Sequence, residues 1–118
     1  MICCGTAKLI DKIARDGATD LTVEVHRTLP PVLAELKSQG YAIVGLEQAT
    51  SSVSLHAFRF TRRTVLVVGN ERTGLTADVL AQLDAAVEIP VFGLPYSYNA
   101  ATAAAMALYE YCRQFPAG

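Results

Sequence analysis

The sequence predicts an α/β domain with a mainly parallel sheet covered by helices on both faces. Three observations carry this. Short apolar runs alternate with stretches of helical periodicity along the chain, as in proteins whose strands are joined by crossover helices. Two of those runs, YAIVGLEQA and TVLVVGNE, have the unbroken apolar character of strands covered on both faces. The whole chain is 118 residues, enough for one compact domain with a core of its own.

The elements follow in order. Residues 7 to 16, AKLIDKIARD, place Leu9, Ile10, Ile13 and Ala14 on one helical stripe that Gly17 can end. LTVEVHR then alternates Leu21, Val23 and Val25 with polar residues, the two-residue period of a half-buried strand. In TLPPVLAELKSQGY, Thr28 is positioned to cap a helix whose first turn tolerates Pro30 and Pro31. Leu33 and Leu36 face inward, and Gly40 is the stop. YAIVGLEQA is the next strand, with polar EQATSSVS at its carboxyl end. HAFRFTRR reads as irregular, and TVLVVGNE as the clearest buried strand, ended by Gly69. TADVLAQLD forms a helix with Thr76 as its cap and Val79, Leu80 and Leu83 inside. AVEIPV is a further strand, and Ala100 to Gln114 the last helix.

Composition narrows the function classes. Hydrophobic residues make up 52% and charged residues 18%, a balance suited to a folded globule. The formal net charge of -1 excludes a protein that holds nucleic acid through a global basic excess, so any RNA role needs a local patch, a dimer or a partner. Cys3, Cys4 and Cys112 form neither an even disulfide set nor a paired metal pattern, so no metal site is expected. His26 and His56 have no ligand-like companions and read as structural or surface residues. The opening MICCGTAKLIDKIARDG has the pattern of neither a signal peptide nor a membrane span, which favours a cytoplasmic location.

Ligands of parallel sheets bind at the carboxyl ends of the strands. Three loops are expected there: EQATSS, GNERTG and FGLPYSYN. In VLVVGNERTGL, Gly69 and Gly74 flank Glu71, a pattern for a tight turn that brings backbone close to a ligand while a carboxylate accepts hydrogen bonds. It is neither a Walker loop nor a GxGxxG turn. An ordinary glycine turn before a helix fits as well. In IPVFGLPYSYN, Pro90, Gly93 and Pro95 set one irregular path, and Ser97, Tyr98 and Asn99 precede the helix. Asn99 could serve only as an N-cap, but one cap does not account for so many polar and aromatic groups. The small residues of AATAAAMALYEY suit either a tightly surrounded helix or a close-packed partner interface. Arg59 to Arg63, in FRFTRR, suit a phosphate contact or a solvated strand edge.

Together, VVGNERTGL and IPVFGLPYSYNAATAAA resemble the two ordered motifs of the SpoU or TrmH-type RNA ribose methyltransferases of the SPOUT superfamily. The resemblance runs from about YAIVGLEQ to YEYCRQF and more loosely back to VEVHRTLPPVLAELK. It implies a single domain over residues 1–118, short at its amino end, with the last helix tucked through a preceding loop as a trefoil knot. It also implies an S-adenosylmethionine pocket lined by Gly69, Ile89 and Tyr98, with Leu94 and the turn at Leu46 and Glu47 as neighbours. Glu71, Ser97 and Asn99 would organise the active site and the incoming ribose. The implied activity is transfer of a methyl group to a ribose 2'-hydroxyl of tRNA or rRNA. The implied assembly is a homodimer through the knot region. Two positions depart from the family: Tyr98 stands where Leu is usual, and no N-x-G-x-x-x-R motif occurs between Met1 and Gly40. That absence keeps open a non-catalytic, knotted domain that binds the cofactor or RNA and dimerises. A nucleotide-binding α/β domain without a knot is the third reading.

Overall fold

The computed structural model describes residues 1–5, 21–49, 51–69, 74–93 and 98–118. The expected helix over residues 7 to 16, with Gly17, lies outside them. In the order of the chain, the described elements are β1 (Ile2–Cys4), β2 (Glu24–His26), α1 (Pro30–Ser38), β3 (Ala42–Leu46), β4 (Val53–Ser54), β5 (Thr64–Val68), α2 (Ala77–Leu80), β6 (Ala85–Glu88) and α3 (Ala100–Gln114). β1 and β2 form a parallel pair, and the other four strands form one parallel sheet in the order β4-β6-β3-β5.

The expected α/β architecture is present. Strand alternation divides the core into two layers, because successive side chains of β3 point to opposite faces. On one face, Ile43 and Val67 pack with Leu33 of α1 and with Leu75 and Val79 of the α2 region. On the other, Val44 and Val87 pack with Ala107 of α3 and with Leu55 and Phe60. Helices therefore cover both faces, and β3, the central strand, is buried at three of its five positions.

Several local expectations change. The cap of α1 is Leu29 rather than Thr28, and it makes no side-chain hydrogen bond; two prolines in the first turn remove donors that a cap would otherwise satisfy. Gly40 ends the segment with φ at 90°, as expected of its position. β5 is an edge strand, so only Val67 is fully buried and Val68 is 38% exposed. Leu80 points outward on the short α2, and Leu83 packs beneath it. Val25, expected on an inward face, is 71% exposed, because β2 pairs with β1 outside the four-stranded sheet. Within HAFRFTRR, Phe60 is buried and Phe58 packs beside it, although the backbone is irregular as expected.

Asp84 fastens the start of β6. Its carboxylate accepts the Ile43 N–H at 2.7 Å while its own N–H donates to the Ile43 carbonyl at 2.8 Å. The Ile43 N–H, helped by Lys37 at 3.2 Å, holds the Asp84 carboxyl below the ordinary carboxylate range.

Candidate functional site

The connections diverge around β3: β5 lies on one side of it and β6 on the other. Such a divergence leaves a crevice beyond the carboxyl ends of the strands. Here it is a cavity of about 600 Å³, within the range of small-molecule sites. Its wall comes from three strand ends and one helix start: Leu46, Glu47 and Gln48 at the end of β3, Val68, Gly69 and Gly74 at the end of β5 and beyond it, Val87, Glu88 and Ile89 at the end of β6, and Tyr98 to Ala100 with Ala103 at α3.

Five of the eight site residues expected from the sequence thus meet in one cavity: Leu46, Gly69, Ile89, Tyr98 and Asn99. Glu71, Leu94 and Ser97 lie outside the described residues.

The turn after β5 is built by close backbone approach. A Cβ on Gly69 would stand 2.6 Å from the Gly74 carbonyl carbon and 2.8 Å from its oxygen, which no side chain could tolerate. Gly74 has φ at 65°, and a Cβ there would meet the Glu47 carboxylate at 3.1 Å. The two glycines therefore serve one contact: the backbone of Gly69 meets that of Gly74, and both line the cavity.

Glu47 braces this arrangement. Its N–H donates to the Val87 carbonyl at 3.1 Å, extending the β3–β6 ladder, and its carboxylate accepts the Leu75 N–H at 3.2 Å. One residue thus joins the ends of β3 and β6 to the turn that follows β5. The sequence marked Glu47 only as a neighbour of the pocket; its bracing depends on contacts 28 and 40 positions away, which no local pattern encodes.

Asn99 is the cap that its position allowed. Its side-chain oxygen accepts the N–H groups of Ala101 at 3.0 Å and Thr102 at 3.3 Å, starting α3 at the cavity wall. Of the small residues, Ala103 faces the cavity and Ala107 is fully buried against the sheet, whereas Ala101 and Ala105 are exposed. Tight surroundings therefore account for only one side of the helix. Among the described residues, no group of His, Cys, Asp and Glu could hold a metal ion, and no helix is long and apolar enough to cross a membrane.

Comparison with known proteins agrees with this geometry. The tRNA (guanosine(18)-2'-O)-methyltransferase TARBP1 of Mus musculus is 40% identical over 82 residues, 70% of this chain and 5% of that protein. The tRNA (guanosine(18)-2'-O)-methyltransferase of Escherichia coli is 37% identical over 92 residues, covering 78% of this chain and 40% of that one. Among solved structures, the A. aeolicus TrmH/SpoU tRNA modifying enzyme superposes with a TM-score of 0.85 at 31% identity, over 94% of this chain and 56% of its own. The SpoU methyltransferase AviRb from Streptomyces viridochromogenes, in complex with the cofactor AdoMet, gives a TM-score of 0.84 at 26% identity, over 99% of this chain and 50% of its own. The chain thus spans about half the length, or less, of these relatives. Residues 3–109 match the profile of the SpoU rRNA Methylase family, and the chain belongs to that family.

Proposed function

We propose that this chain is the cofactor-binding part of an RNA 2'-O-ribose methyltransferase that uses S-adenosylmethionine and acts on tRNA or rRNA. The observation that carries the reading is the convergence of three strand-end loops and the first turn of α3 on one cavity, in a chain of the SpoU family. The relatives named as tRNA 2'-O-methyltransferases, and the AdoMet complex of a similar fold, support the substrate class and the cofactor. Residues 1–118 act as one domain in this reading, and their work is cytoplasmic.

The cavity suits the cofactor in size and in lining. Gly69, Gly74 and Ile89 line the cavity and bring backbone amide groups to an adenine edge, while Leu46, Val87 and the half-exposed Tyr98 ring supply apolar surface. When bound, S-adenosylmethionine supplies a methyl group on an electrophilic sulfonium. The protein then has to align a ribose 2'-hydroxyl with that methyl and help remove one proton, which is largely a matter of positioning. Glu71 and Ser97 are assigned to organising the ribose. Asn99 fixes the first turn of α3 at the cavity wall.

Two finer features belong to the same reading. The loop before α3 and the helix itself form the trefoil knot of the family, consistent with the first turn of α3 closing a cavity made by three strand ends. The chain forms a homodimer through the outer face of α3, where Leu108 is 54% exposed and Tyr109 77%, beside exposed Ala101 and Ala105.

Calorimetric titration with S-adenosylmethionine tests the cofactor site, and saturable heat is expected. Absence of heat at high protein concentration would remove it. Labelled methyl transfer to bulk tRNA or rRNA, with the product ribose-methylated, tests the reaction. Cofactor binding without any transfer would instead favour the non-catalytic reading that the missing N-x-G-x-x-x-R motif motivates.

A further inference from the structure

The cavity leaves Arg59, Arg62 and Arg63 without a role. They lie at the opposite end of the sheet, just before Thr64 opens β5. From Gln48 to Asn70 the sequence contains no Asp or Glu, so this stretch is locally basic in a chain whose net charge is only -1. All three arginines are exposed, and none makes an ion pair among the described residues. Glu110, whose carboxyl Arg59 helps to hold down, is engaged by Arg113 at 2.8 Å.

The backbone beneath them is held at several points. The Gln114 amide accepts the Phe60 N–H and donates to the Phe58 carbonyl, each at 2.9 Å. The Tyr111 hydroxyl donates to the Arg62 carbonyl at 2.7 Å, and Thr64 donates to the Thr61 carbonyl at 2.6 Å. Arg63 donates to the Gln39 carbonyl at 2.9 Å with its guanidinium 4.4 Å from the Tyr41 ring centre, and Arg62 lies 5.6 Å from that of Phe115. A guanidinium has five N–H donors and these contacts use few of them, so outward edges stay available. Fixing Arg62 and Arg63 in advance lowers the entropy lost on binding a polyanion.

We propose that Arg59, Arg62 and Arg63 form a ledge that contacts the phosphate backbone of RNA at the amino end of the sheet. The inference rests on the RNA reading above. The ledge is one strand length from the cavity, about 13 Å at some 3.3 Å per residue, so one RNA can reach both. It meets the requirement that the near-neutral composition imposes: RNA affinity must come from a local patch.

The test is the salt dependence of tRNA binding, measured for the unaltered chain, an R59Q/R62Q double variant and an R59K/R62K double variant. Each preparation is also titrated with S-adenosylmethionine. Loss of two phosphate contacts should lower the slope of log affinity against log salt by about 2, roughly one per arginine, in the Gln variant. The Lys variant should keep the slope. An unchanged slope in the Gln variant would overturn the ledge, and so would equal losses in both variants, since stacking rather than charge would then be the cause. If the unaltered chain takes up the cofactor but binds no tRNA, the RNA part of the function falls together with the ledge. If tRNA binds and only the slope fails to move, the ledge alone is lost.

Discussion

The two ends of the parallel sheet are made by different means. At the carboxyl end, shape comes first from backbone meeting backbone: Gly69 touches Gly74, and the N–H of Glu47 continues the ladder to Val87, with the Glu47 carboxylate as a single brace to Leu75. At the amino end, side chains clamp the loop before β5, with Gln114, Tyr111 and Thr64 each holding a backbone carbonyl or N–H. An edge that must admit a ligand needs concavity and exposed amides, which side chains would fill. The other edge has only to be covered and fixed. Substitutions at the two ends should therefore separate ligand affinity from stability.

The largest effect is expected at Gly69. A methyl group there collides with the backbone of Gly74, and because backbone cannot step aside as a side chain can, the turn must move. Gly69→Ala should cost about 1–3 kcal/mol in denaturant unfolding, as overpacked sites do. It should also weaken S-adenosylmethionine by at least about tenfold in calorimetry, equivalent to about 1.4 kcal/mol. A variant that is destabilised but binds the cofactor normally would break the contrast between the two ends.

Gln114→Ala is the counterpart at the amino end. It leaves the Phe60 N–H and the Phe58 carbonyl without their side-chain partner, and should cost about 1–2 kcal/mol with cofactor affinity unchanged. A matching loss of affinity in the same titration would show that the ends are coupled.

Asn99 sharpens the comparison, since it is both a cap and part of the cavity wall. Asn99→Ala should cost about 1 kcal/mol from the lost cap, whereas Asn99→Asp, also a good cap, should stay close to the parent in thermal unfolding. If Asp preserves stability but lowers cofactor affinity or methyl transfer, Asn99 does more than start the helix. If both activities survive, capping is its whole contribution.

The smallest effect is a pH dependence at the amino end. Arg113, and then Gln114, hold the Glu110 carboxyl down from 4.5 to about 2. Because the folded value lies below the unfolded one, the stabilisation is present above pH 4.5 and fades as the pH falls toward 2. Melting curves across that window should lose less for Glu110→Gln than for the parent. Glu110 is half-buried but its partner Arg113 is exposed, so the difference will be small and will shrink further in salt.

The strands β3 and β5 were legible in the sequence because continuous apolar runs between turn residues need no knowledge of partners; β6 was found as well, but it ends at Glu88, short of the Ile89 to Val91 that AVEIPV included. The last helix was legible to its ends, Ala100 and Gln114, because an asparagine cap precedes a long alanine-rich run. What escaped was set by tertiary partners or was too short to carry a period. β1 and β4 have three and two residues, and neither length can display an alternation. Val25 sits in a clear alternating pattern yet faces out, since a period states which residues share a face and not whether anything covers it. At the site, the resemblance of the two motifs to the SpoU family marked five residues that do meet in the cavity. Glu47 was underrated because its hydrogen bond reaches across the fold to Leu75.

The Gln114 clamp has a consequence for the order of folding. Its two hydrogen bonds reach back 54 and 56 positions along the chain. During synthesis, β3, β4 and β5 emerge long before α3, with Phe60 and Phe58 still lacking the helix that covers them. Their aromatic surface must stay uncovered until α3 has left the ribosome, at translation rates of about 5–20 residues per second a wait of a few seconds. During that interval the nascent chain exposes a parallel-sheet edge and two phenylalanine rings, the kind of surface that chaperones recognise.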